Sequence, residues 1–103
     1  MELVIDSIQQ TLAKEVSAYS QVISLDTHHY YLDNKNGTYA VLVVPQPNAK
    51  RITGARVVVM AHIQDDMIVI DADNTDTPLV EALVSAGVPR AKIVLAYNGE
   101  KQP

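Results

Sequence analysis

The sequence predicts an α+β fold: a mixed, mainly antiparallel sheet of about five strands with two helices, in the order α-β-β-β-β-α-β. Three observations carry this. An amphipathic stripe of helical period opens the chain. Val- and Ile-rich segments joined by short turn signals fill its middle. A helix with recognisable ends and a short apolar strand close it.

Glu2 to Tyr19 reads as the first helix. Ile5, Ile8, Leu12, Val16 and Tyr19 recur at three- and four-residue spacing and form one apolar stripe. Asp6, Gln9, Gln10, Lys14 and Glu15 lie mainly elsewhere around the axis.

Val22 to Asp33 is strand-like, with Val22-Ile23-Ser24-Leu25-Asp26 continued by His28-His29-Tyr30-Tyr31-Leu32. Asn34-Lys35-Asn36-Gly37 is a turn, because Asn and Gly adopt positive φ at little cost. Thr38 to Val44 follows as the return strand of a hairpin. Pro45 to Lys50 breaks the pattern as an exposed loop, and Arg51 to Ala55 leads into the next strand.

Arg56 to Gln64 and Met67 to Asp73 form a second hairpin, rich in the β-branched residues that strands favour. Asp65-Asp66 is its turn, although the usual Gly is absent. A two-residue turn sets Ile63 opposite Ile68, Ala61 opposite Ile70 and Val59 opposite Ala72, an apolar face for the second helix to cover. The other face carries Val58, Met60, His62 and Gln64 beside Met67, Val69 and Asp71. A slip of one residue would exchange the two sets.

Thr77 is the expected N-cap of the second helix, through its hydroxyl, with Pro78 at the first helical position. Leu79, Val80, Leu83 and Val84 make its apolar face. Gly87 closes it in the left-handed conformation, and Pro89 prevents continuation. Pro89 to Lys92 is a short turn, Ile93 to Tyr97 a short strand, and Asn98 to Pro103 a polar, frayed tail. The second helix allows the last strand to return parallel to an earlier one.

The 103 residues make one domain, with no linker, repeat or low-complexity tract to divide it. Hydrophobic residues are 48% of the chain, which argues against disorder. There is no Phe, Trp or Cys, so Val, Ile, Leu, Ala and Tyr fill the core. The lack of cysteine fits a reducing cytoplasm and removes disulfides and thiolate metal sites. No apolar run approaches the roughly 20 residues of a membrane span, and Met1 to Asp6 lacks the positive charge of a signal peptide. The net charge of −4, with scattered basic residues, argues against direct binding to duplex DNA, which needs a basic face.

Candidate chemistry is sparse. His28 and His29 are adjacent in a strand and point to opposite faces, so they do not chelate one ion together. His62 and Asp71 share a face, diagonal across the second hairpin. Such a pair can orient an acid or base, but no motif places a Ser or Cys nucleophile beside it. Asp71 to Asp76 looks faintly like a calcium loop but lacks its Gly and closing Glu. Turn and helix-start chemistry accounts for these acids better. No catalytic, metal or cofactor residues are assigned. The candidate interaction surface is Val58, Met60, His62, Met67, Val69 and Asp71, on strands apolar on both faces. With two helices for one face, a second copy of the chain is the simplest cover for the other, giving a homodimer.

His62-Ile63, Ile68-Val69-Ile70, Asp73-Asn74-Thr75-Asp76, Leu83-Val84-Ser85-Ala86-Gly87-Val88-Pro89 and Ile93-Val94-Leu95 follow one another. In this order they resemble the XisI-like proteins, the fdxN-element excision controlling factors found mainly in cyanobacteria. Upstream, Leu25-Asp26 and Tyr30-Tyr31-Leu32 resemble the family's Phe-Asp…Tyr-x-Leu strand. Val69 stands where the family has Trp, and the Gly-Trp that follows the Tyr strand is missing. The resemblance implies an accessory protein that acts with a XisH-like partner in developmentally controlled excision of a DNA element, the recombinase being a separate protein. It carries no catalytic residues over. Two other classes stand beside it: an inhibitor or antitoxin-like module that holds a nuclease-fold partner in check, and a hydrolase-like enzyme using His62 and Asp71.

Overall fold

The computed structural model describes residues 5–21, 27–34, 36–46 and 54–101. Helix α1 spans Ile5–Ala18 and α2 Leu79–Ser85. The strands are β1 Thr27–Asp33, β2 Thr38–Pro45, β3 Arg56–Gln64, β4 Met67–Asp73 and β5 Ile93–Leu95, with 3-10 turns at Arg90–Lys92 and Ala96–Asn98. This is the predicted order. The strands form one sheet, β1-β2-β3-β4-β5. The first four are antiparallel neighbours. β5 is parallel to β4, because α2 carries the chain back along the sheet. The strand expected over Val22 to Asp26 lies outside the described residues, as does most of the loop expected after Pro45.

Helical periodicity translates directly into packing. Ile8, Leu12 and Val16 of α1 are buried, the last two with no exposed surface. They join Leu79 and Leu83 of α2, Val41, Val59, Ala61, Ile68 and Ile70 of the sheet, and Ile93 and Leu95 of β5 in one core. Both helices therefore cover the same sheet face. Full burial of each Val, Leu or Ile side chain among them contributes about 1.5–3 kcal/mol. The Tyr19 hydroxyl donates to the Thr77 carbonyl and ties the end of α1 to the approach of α2.

The start of α2 differs from expectation. Pro78, not Thr77, is the N-cap, and no side chain of its own turn caps the helix. Asp73 does so from the end of β4: its Oδ2 accepts the Leu79 N–H at 2.6 Å. Its Oδ1 accepts from the Thr75 N–H and hydroxyl, at 3.0 and 2.6 Å. The C-terminal end follows the sequence. Gly87 has φ +105, its N–H donates to the Val84 carbonyl, and the Val88 N–H reaches the Leu83 carbonyl. These two hydrogen bonds form the Schellman closure, and Val88 is buried behind it. Val84, expected on the apolar face, is 44% exposed.

The tail is tied down further than the sequence predicts. β5 ends at Leu95, and the Glu100 carboxylate accepts the Leu95 N–H at 2.8 Å. Arg90 reaches the same carboxylate at 3.2 Å and the Ile93 carbonyl at 2.7 Å.

Both hairpins turn where expected. In the first, the Asn34 side chain accepts the Asn36 N–H and Gly37 has φ +83. In the second, Asp65 and Asp66 have φ 52 and 62, the left-handed pair of a type I′ turn. The predicted register holds at Ile63–Ile68 and Ala61–Ile70. It fails beyond, where Met60 pairs with Ala72 and Val59 with Asp73. Asp71 is thus an extra residue in β4, a bulge. A second register shift, where Val41 pairs with Val59 and Leu42 with Val57, makes Val58 the extra residue in β3.

Candidate functional site

The second sheet face is built by strand alternation. Tyr30 of β1 pairs with Leu42, Leu32 with Ala40, Ala40 with Met60, Thr38 with His62 and His62 with Val69. Ala40, Val69 and Val94 are buried on this side, apart from the helix-side core. Met60, His62, Met67 and Asp71 are half-buried around them. Val58 leaves the predicted set: it packs against the helix-side core, because the bulge at that position breaks strict alternation. Val69 is 0% exposed and supports the surface from beneath.

At the centre of this face, His62 Nδ1 lies 2.7 Å from Asp71 Oδ2. His62 Nε2 lies 3.2 Å from Gln64 Oε1. The pairing of His62 with Asp71 is legible in the sequence. The part played by Gln64 is not, although its place two residues along the strand puts it on the same face. Burial pushes the imidazole pKa down. The hydrogen bonds to Asp71 and Gln64 and the Asp71 charge outweigh it, so the net shift is upward. Both ring nitrogens face acceptors, which suits the doubly protonated imidazolium.

Chemically, this is a hydrogen-bonded His–Asp pair, an ion pair when the imidazole is protonated, set in an apolar surround. Thr38 sits opposite His62, but no hydrogen bond joins its hydroxyl to the pair, nor does any other hydroxyl among the described residues. The acids at Asp71 to Asp76 do not converge. Asp71 faces His62, whereas both oxygens of Asp73 hold backbone and hydroxyl donors at the start of α2. His28 is exposed on the second face. His29 turns to the other side, where its Nδ1 is buried without a hydrogen-bond partner among the described residues. No described helix is long and apolar enough to cross a membrane.

The fold as a whole matches known structures. Residues 2–102 match the family described as XisI protein. The chain belongs to the XisI family. A XisI-like protein from Anabaena variabilis ATCC 29413, with a crystal structure at 1.30 Å, is 28% identical. Its TM-score is 0.76, over 89% of this chain and 85% of that one. The fdxN element excision controlling factor XisI from the same organism, solved at 2.19 Å, is 21% identical with a TM-score of 0.70. That match covers 90% of this chain and 86% of the other and speaks to the shared fold. The comparison with curated proteins gives no match.

Proposed function

We propose that this XisI-family chain is a non-enzymatic accessory protein of DNA-element excision, acting by binding a XisH-like partner through its second sheet face. The observation that carries the reading is the His62–Asp71 pair at 2.7 Å, set among half-buried Met60 and Met67. A hydrogen-bonded His–Asp pair in an apolar surround gives orientation to a protein contact, and with the imidazole protonated it leaves no unpaired charge there. Methionines adapt their shape to a partner. Family membership supports the excision role, since a relative of the same fold is named as an excision controlling factor. The net charge of −4 favours a route through protein rather than through duplex phosphates.

The test is light scattering on size-exclusion fractions of this chain mixed with a XisH-like protein from the same genome. A stable mixed complex is expected. It should weaken at least about tenfold on Met67→Lys, which buries a charge at the contact, and persist in Val84→Lys on the helix layer. Failure to form the complex, or indifference to Met67→Lys, overturns the reading. A partner that is toxic alone and silenced by this chain would move it to the inhibitor class.

A further inference from the structure

The two edges of the sheet are unequal. β5 is three residues long, and short edges resist pairing with other chains. β1 is seven residues long, Thr27–Asp33. Its register against β2 runs unbroken from Thr27–Pro45 to Asp33–Tyr39, with no bulge. Thr27 to Leu32 contains no Pro, Lys, Arg, Asp or Glu. Asp33 at its end apart, no charge, proline or bulge of the kind that blunts an edge strand lies along it among the described residues. Among the described residues β1 pairs only with β2. It also carries two of the four large hydrophobic residues exposed among those described: Tyr30, 50% exposed, and Leu32, 49%.

The direction of its free hydrogen-bonding groups follows from the hairpin. The Asn34 N–H donates to the Thr38 carbonyl. Asn34 therefore points toward β2, and by alternation so do Leu32, Tyr30 and His28. Thr27, His29, Tyr31 and Asp33 turn their backbone N–H and C=O groups outward.

We infer that β1 pairs antiparallel with β1 of a second copy of this chain, about a two-fold axis at Tyr30, joining two sheets into one. Of the described strand, only a register centred on Tyr30 uses all seven residues. It sets Thr27 opposite Asp33 of the partner subunit and His29 opposite Tyr31 of the partner subunit. All the outward groups then meet, forming about eight inter-copy hydrogen bonds, within the range of a standard interface. On the second face Tyr30 meets the partner's Tyr30, and His28 meets the partner's Leu32. The His28 and Tyr30 rings already lie 6.0 Å apart, so the seam becomes a continuous aromatic and aliphatic band. No like charges oppose each other in this register. The contact uses the edge and leaves the His62–Asp71 surface open, so it stands independently of the reading above.

Single cysteines test both the dimer and its register, because the chain has none of its own. A non-hydrogen-bonded antiparallel pair sets its Cα atoms about 4.5 Å apart, within the roughly 4.4–6.8 Å of a disulfide. The two Leu32 positions fall four residues apart along the seam, about 13 Å. Wild type should run as a dimer by light scattering. Tyr30→Cys should form a disulfide-linked dimer on mild oxidation at least about tenfold faster than Leu32→Cys, as this spacing requires. Tyr30→Lys, which brings two ammonium groups face to face at an exposed position, should give a folded monomer by circular dichroism. A monomeric wild type, a dimer untouched by Tyr30→Lys, or Leu32→Cys cross-linking as fast as Tyr30→Cys would overturn the inference.

Discussion

Asp71 meets His62 across the β3–β4 hairpin, Oδ2 to Nδ1 at 2.7 Å, from the extra position of a bulge. In strict register Met60 would face Asp71. The bulge gives that place to Ala72 and leaves Asp71 outside the ladder, with its carboxylate on the imidazole.

The pair makes stability depend on pH. The folded-state pKa of His62 is raised above its unfolded value of about 6.5. A raised pKa contributes stability that is fully present below the unfolded pKa and is lost as pH rises through the folded pKa. His62→Ala should therefore cost more in mild acid than in mild alkali. With the side chain 25% exposed, the cost near pH 5.5 should be about 1 kcal/mol, a charged hydrogen bond discounted for solvent. Urea unfolding of both proteins between about pH 5.5 and pH 9 checks it. A difference that grows with pH would contradict the sign.

Asp71→Asn keeps an acceptor near Nδ1 but removes the charge. The His62 imidazole should then titrate at lower pH than in wild type. NMR titration of the ring protons measures this directly.

The cap that Asp73 supplies to α2 should be worth about 0.5–2 kcal/mol, the range of N-cap deletions. Asp73→Ala should lower stability by that amount, whereas Thr77→Ala should have little effect on the helix. Urea denaturation midpoints separate the two residues.

Gly87 at φ +105 has open space where a Cβ would stand. Gly87→Ala should thus cost backbone strain alone, about 1–2 kcal/mol. Gly54 also has open space and no positive φ, so Gly54→Ala should be neutral within about 0.5 kcal/mol. Thermal unfolding of the two variants is the measurement.

Leu12→Ala removes a side chain with no exposed surface and should cost about 2–5 kcal/mol through the cavity it leaves. Val84→Ala, 44% exposed, should shift stability by less than about 0.5 kcal/mol. The contrast separates the buried stripe of α1 from the exposed end of the α2 stripe.

The sequence by itself determined the element order, the α1 stripe of Ile8, Leu12 and Val16, both turns, the closure at Gly87 and the facing of His62 and Asp71. Each is a local property: a period of 3.6 or 2, a residue able to take positive φ, or a two-residue loop that sets the first pairs of a ladder. Only the tertiary structure decided the bulges at Val58 and Asp71, which depend on how a twisted strand meets both neighbours. It decided that Asp73 caps α2 in place of Thr77, because the parallel return of β5 brings α2 back over the end of β4. It also decided that Val69 is covered while Tyr30 and Leu32 stay open, since alternation gives the face a residue points to but not the neighbours that bury it there.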